Sequence, residues 1–362
     1  MKKLLAVCAL TALSIGTFSP LSQAAGGDLT RVYGSGRVET SVAISKASFP
    51  EAEKAIIASD SGYADALSGG PLSIQINGPI LLSSTSVKDS VSRELKRLKV
   101  KEVIILGGTK AVSQKVENVL KNDYTVTRLS GDNRYETGKE INEYQNSLDK
   151  STRTRLGYAT GMGYADALVA GPYIGKEGSL LLHNPALTLE NPDMVFGGEK
   201  ALPKIKNAKK RFSGLNRYDT AVKIAESYRL TGPYTPGQTV IIASGQNYPD
   251  ALAAAPLVNA YRSVLLLTNT DYLAPETKEY LESPSVKNIF ILGGTNAVSD
   301  KVKNEIVKLK EIKTVKEIRE NYTGTTTTKE EAVDSSEDNK KIEVTKEINP
   351  SETTVNIEEQ NK

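Results

Sequence analysis

The chain has 362 residues, 39% of them hydrophobic and 25% charged, with a net charge of +3 and a mean hydropathy of −0.32. Domains commonly run to about 150 residues, so this is material for more than one core, and the composition excludes collagen, a coiled coil and a polytopic membrane protein. Charge is uneven: residues 313–362 carry 8 Lys/Arg against 12 Asp/Glu, which leaves a mildly cationic body suited to an anionic partner.

At the start, Lys2 and Lys3 precede the apolar run Leu4 to Ile15, which gives way to Ser22-Gln23-Ala24-Ala25. This order predicts a secretory signal peptide over 1–24, cut near Ala24 or Ala25 and too short to span a bilayer. Cys8, the only cysteine, falls inside it. An exported chain without thiols makes no disulfide, thiolate metal site or cysteine nucleophile.

Four signatures then recur in one order three times. The first, Gly-x-x-Arg-(Tyr/Val)-(Glu/Asp)-Thr, spans Gly34 to Thr40, Gly131 to Thr137 and Gly214 to Thr220. The second, Tyr-(Ala/Pro)-Asp-Ala-Leu, begins at Tyr63, Tyr164 and Tyr248. The third is an aliphatic triplet: Ile80-Leu81-Leu82, Leu180-Leu181-Leu182 and Leu265-Leu266-Leu267. The fourth is a glycine pair: Gly107-Gly108, Gly197-Gly198 and Gly293-Gly294. Between triplet and glycine pair the middle copy is about ten residues shorter than its neighbours, the length of one helix.

Within each copy the pattern alternates strand and helix. Gly36, Asn133 and Asn216 stand at N-cap positions with Glu39, Glu136 and Asp219 three residues on, which predicts a helix opening each copy. Ala55 to Ser59, Val103 to Leu106, Val240 to Ser244 and the triplets read as buried strands; Val87 to Leu98 and Ser113 to Leu120 read as helices. Continuous apolar strands covered by helices predict an α/β fold with mainly parallel, Rossmann-like sheets. The copies are set at 29–127, 128–210 (cut down) and 211–312. From Lys313 the chain is polar and acidic, holds the run Thr325 to Thr328, and reads as a disordered tail. It has no sortase-type ending or apolar stop-transfer run, so any attachment is expected through the repeats.

These repeated residues closely resemble the type 2 cell-wall-binding repeats of Gram-positive surface proteins, over Leu29 to Leu309. The resemblance implies three toprim-like α/β repeats about a pseudo-threefold axis, without catalysis or cofactor. It implies a non-covalent anchor at the cell surface that holds an anionic, teichoic-acid-like wall polysaccharide, with other surface-layer proteins as further partners. It also implies a ligand role for the triplets Ile80, Leu81, Leu82, for Leu180, Leu181, Leu182 and for Leu265, Leu266, Leu267.

Read from the residues alone, the triplets are equally well buried strands, and the ligand groups would then be Ser83-Ser84, His183-Asn184 and Thr268-Asn269 just beyond them. Arg37, Arg134 and Arg217 either grip a phosphate or carboxylate or pair within their own copy with Asp65, Asp166 and Asp250. The glycine pairs lack the full nucleotide fingerprint. The single histidine, His183, permits no zinc site or Ser-His-Asp triad. A carboxylate-based wall hydrolase and an S-layer or adhesin component are the alternative readings, and no nucleic-acid partner is expected.

Overall fold

A computed structural model describes residues 28–149, 155–228, 239–321, 323–332 and 343–348. The expected leader at 1–24 and the chain beyond 348 lie outside the described residues.

The first signature is a local knot. Thr40, Thr137 and Thr220 each accept, through Oγ1, the backbone N–H of the signature glycine six residues before (Gly34, Gly131, Gly214; 3.0, 3.1 and 3.0 Å). Asn133 and Asn216 cap as predicted: each Oδ1 accepts two N–H groups of the first helical turn, at 2.8 to 3.1 Å.

In chain order the elements are β1 (Asp28–Gly34), α1 (Arg37–Ser48), β2 (Lys54–Ala58), α2 (Gly69–Gln75), β3 (Ile80–Leu82), α3 (Asp89–Arg97), β4 (Glu102–Leu106), α4 (Gln114–Leu120) and β5 (Thr125–Leu129). The second repeat brings α5 (Arg134–Leu148), β6 (Arg155–Thr160), α6 (Ala165–Ile174), β7 (Gly178–His183), β8 (Leu189–Glu190), β9 (Met194–Phe196), β10 (Ile205–Lys206) and β11 (Lys210–Phe212). The third brings α7 (Arg217–Tyr228), β12 (Thr239–Ser244), α8 (Pro249–Leu252), α9 (Ala255–Ala260), β13 (Val264–Thr268), α10 (Pro275–Glu282), β14 (Asn288–Leu292) and α11 (Asp300–Lys310). After it come β15 (Thr314–Glu320), β16 (Thr326–Ala332) and β17 (Glu343–Ile348).

The first sheet has the order β3-β2-β4-β5 and the second β7-β6-β9-β11, both wholly parallel. The third runs β13-β12-β14-β1 before its extension. The place that β5 and β11 fill in their own sheets thus belongs, in the third, to β1, paired Asp28↔Asn288 through Val32↔Leu292. Each fourth strand feeds the opening helix of the next repeat, so β1 closes a ring of three. The sheets therefore divide the chain differently from the sequence copies, since residues 29–34 sit in the third sheet.

On the axis of this ring, α2, α6 and α9 approach closely because small residues face one another: a Cβ added at Gly70 would lie 3.4 Å from both Ala255 Cβ and Gly171 Cα. In the shortened second repeat, the positions of α3 and α4 are taken by a parallel ribbon of β8 and β10, Leu189↔Ile205.

The expected disordered tail begins instead as sheet. β15 runs parallel to β1, and β16 and β17 follow antiparallel. Composition alone could not supply a core here, but an open sheet edge offers a backbone ladder. One buried polar group completes the join: Glu320, 0% exposed, accepts from Lys46 Nζ at 2.9 Å and Thr326 Oγ1 at 2.6 Å.

Candidate binding face

All three sheets end their parallel strands where the opening helices begin, which gathers loops and helix starts on one face. Arg37, Arg134 and Arg217 are the first residues of α1, α5 and α7. Each donates through Nη1 to a carbonyl just past the first strand of its own repeat: Asp60 O at 2.6 Å, Gly161 O at 2.5 Å, and Gly245 O. Arg37 and Arg217 are exposed and Arg134 half-buried.

These arginines surround a cluster that the sequence reading did not single out. Tyr63, Tyr164 and Tyr248, one from each repeat, meet with ring centroids 5.3, 5.1 and 5.9 Å apart. Each contact across a seam joins neighbours: the Arg134 guanidinium lies 6.0 Å from the Tyr63 ring, and that of Arg217 lies 5.6 Å from the Tyr164 ring. The sequence signal was available, because the tyrosine recurs at one place in all three copies.

Asp166 and Asp250, which follow two of these tyrosines, answer to the next repeat's arginine rather than to their own. Burial raises the Asp166 carboxyl and the Arg217 charge opposes it; burial raises Asp250 to about 6, opposed by Arg37 and a hydrogen bond from Thr40. For these two, the within-repeat pairing considered from sequence gives way to coupling across seams.

The sign of the Asp250 shift gives a prediction. Between about pH 4 and 6 the native carboxyl keeps a proton that the unfolded chain releases, so its effect on stability becomes unfavourable as pH rises through that window. Asp250→Asn should remove this fall. Relative to wild type, the variant should gain about 2 kcal/mol between pH 4 and 7, after allowance for partial exposure. Denaturant melts of both proteins at the two pH values measure it, and an unchanged difference would contradict it.

The glycine pairs make room for these acids. Gly107, Gly197 and Gly293 have φ of +97°, +120° and +91°, and a Cβ on the first two would lie 2.8 and 2.6 Å from Asp65 and Asp166 Oδ2. Their carbonyls are taken by a second repeated arginine: Arg128 to Gly107 at 2.6 Å, Arg211 to Gly197 at 2.8 Å and Arg31 to Gly293 at 3.0 Å. Each pair is thus built into the sheet seam.

The triplets lie in the strand core, as the reading from the residues alone has them. Ile80, Leu81, Leu82, Leu180, Leu182, Leu265, Leu266 and Leu267 are at most 6% exposed, and only Leu181 is half-buried. Closed in the strand core, these side chains fix where the strands end. The groups just beyond are also spoken for. Ser83 donates to Ser86 O at 2.8 Å, Thr268 to Tyr272 O at 3.2 Å, and His183 Nε2 lies 3.3 Å from Leu187 O, so one side chain in each repeat closes the same loop. Burial lowers the His183 pKa. Ser84 is engaged with Asp60, and the Asn184 and Asn269 side chains cap their own turns at 3.0 Å.

At the opposite end of the strands lies a hollow of about 920 Å³ bordered by Lys54, Gln75, Leu148 and Asn259. Two charge pairs stand at its edge, Lys99 with Glu51 at 3.3 Å and Lys101 with Glu53 at 2.8 Å.

Comparison with known proteins agrees with the threefold plan. The model of the family described as cell wall binding domain 2 matches residues 31–117, 128–205 and 211–303. The N-acetylmuramoyl-L-alanine amidase LytC of Bacillus subtilis is 32% identical over 84% of the chain and 63% of its own length. The amidase enhancer of the same organism is 25% identical over 76% of the chain and 40% of its own. The chain thus spans less than two thirds of either relative. Among solved structures, Cwp6 from Clostridium difficile superposes with a TM-score of 0.68 at 24% identity, covering 82% of this chain and 50% of that one. Cwp8 from the same organism gives 0.64 at 24%, covering 78% and 52%.

Proposed function

The chain belongs to the cell wall binding domain 2 family, and on that premise we propose that it anchors a secreted protein to the Gram-positive cell wall by gripping an anionic, teichoic-acid-like secondary polymer without a covalent link. Cell-wall association comes with the family; the polymer class and its contacts are inferred from the site. The observation that carries the inference is the placing of Arg37, Arg134 and Arg217 on one face around the tyrosine cluster, two of them exposed. Each already spends one N–H on a backbone carbonyl, which holds the planar fork in place and leaves further donors for phosphate or carboxylate oxygens.

Linked sites of modest strength hold through effective concentration, and overall affinity can exceed that of one site by about 100-fold. No bond is made or broken in this reading. The acids nearest the arginines, Asp166 and Asp250, are half-buried against the glycine turns of their own repeats, and His183 closes a loop. The amidase names of the relatives belong to proteins with much chain beyond the matched part.

Sedimentation with purified wall tests the proposal. The chain should come down with intact wall and remain in solution with wall chemically stripped of its secondary polymer; equal binding to both would refute it. Binding should also weaken as salt shortens the Debye length from about 8 Å at physiological strength to about 3 Å at 1 M.

A further inference from the structure

Pseudo-symmetry allows the three arginine sites to be compared position by position, and they are not alike. All share the guanidinium-to-carbonyl bond. In the first site that carbonyl belongs to Asp60, whose carboxylate accepts from Ser84 within a cluster that includes Ser59 and Ser61, and the residue after Arg37 is the buried Val38. The other two have Gly161 and Gly245 in place of Asp60, and Tyr135 and Tyr218 in place of Val38. These rings lie so close over the glycines that an added Cβ would come within 2.5 and 2.6 Å of them.

Large apolar side chains stand in solvent beside these two sites. Met162, 66% exposed, receives the Tyr135 hydroxyl at 3.7 Å on its sulfur. Leu215, 97% exposed, is two residues before Arg217, and Tyr272, 47% exposed, stands in the loop that Thr268 closes. The first site has Ser61, Ser35 and the exposed Ser86 at the corresponding positions. A lone exposed leucine needs no explanation. Apolar and aromatic surface flanking an arginine at two of three equivalent places, and absent from the third, calls for a ligand with apolar as well as anionic parts.

We propose that the Arg134 and Arg217 sites are composite sugar-acid subsites, and that the first site contributes little to the grip. The guanidinium takes the anionic group, while Tyr135 with Met162, and Leu215 with Tyr272, cover the C–H face of the adjoining sugar ring, which is apolar and suits the negative face of an aromatic ring. At the first site the Asp60 carboxylate repels the same anion. The shortened second repeat is then a binder, not a filler of the ring. This deepens the reading of the chain as a polymer anchor and rests on it.

The test uses the full chain on intact and polymer-stripped wall. The double variant Leu215→Ser/Tyr272→Ser should lower retention on intact wall about tenfold, with the thermal midpoint unchanged because both side chains are exposed. Tyr272→Phe, which keeps the ring, should stay within about twofold of wild type, and the first-site control Ser35→Ala/Ser86→Ala should do the same. Wild-type retention by intact wall alone supports the parent reading within the same experiment. If the Leu215/Tyr272 pair is then retained like wild type, the subsite proposal falls by itself. If wild type binds both walls equally, the parent reading falls and the proposal with it.

Discussion

A chain carrying Val32→Asp should fail to form its third sheet while the first two remain folded. Val32 is wholly buried in β1, and β1 is held between β14 and β15 by parallel ladders on both sides. A carboxylate there would have no partner among the aliphatic neighbours, and burying it costs several kcal/mol, against a total stability of about 5–15 kcal/mol for a domain. The effect should be regional because β1 is the piece that closes the ring: Arg31 reaches Gly293, 262 residues away, while the first two sheets draw their fourth strands from the chain immediately following. Amide hydrogen exchange reads this directly. Protection should be lost across β12, β13 and β14 and retained in β2, β4, β6 and β9. Unchanged protection in the third sheet would show that β1 is an ornament on a sheet already complete.

The same strand marks the boundary of what could be read from sequence. Signatures built on local contacts were legible. The bond from Thr40 to Gly34 spans six residues, and helix caps and buried strands leave equally local traces. Ring closure was not legible, since parallel pairing between distant residues imposes no spacing on the chain. The two arginines of Arg-x-x-Gly-x-x-Arg recur with the same regularity, yet Arg31 is 1% exposed and buttresses a glycine carbonyl while Arg37 faces solvent; only burial separates their tasks. The triplets posed the reverse problem. Three aliphatics in a row have one physical meaning in a parallel sheet, and the buried Leu81 and Leu266 follow it whatever role a resemblance suggests. Low apolar content made the segment after Lys313 look unable to fold, because composition does not register a neighbouring strand that offers its backbone.

The second large effect concerns the arginines together. In the variant Arg37→Gln/Arg134→Gln/Arg217→Gln, each glutamine retains an amide donor, and the tyrosine cluster and the α2, α6 and α9 packing remain to join the three repeats. What disappears is charge. A hydrogen bond to a charged partner contributes about 1.5–3 kcal/mol, and linked sites multiply their losses, so retention on wall should fall by about 100-fold or more. The residual binding should respond less to salt, because much of the charge whose attraction salt screens is gone. Single substitutions should be milder, as the remaining sites keep the chain near the polymer.

The most direct measurement is therefore co-sedimentation of wild type and this triple variant with intact wall at physiological ionic strength, after their thermal midpoints have been shown to match. Wild type should pellet with the wall and the triple variant should stay in the supernatant. A triple variant that melts like wild type and pellets like wild type would mean that the arginine ring is not what holds this protein to its wall.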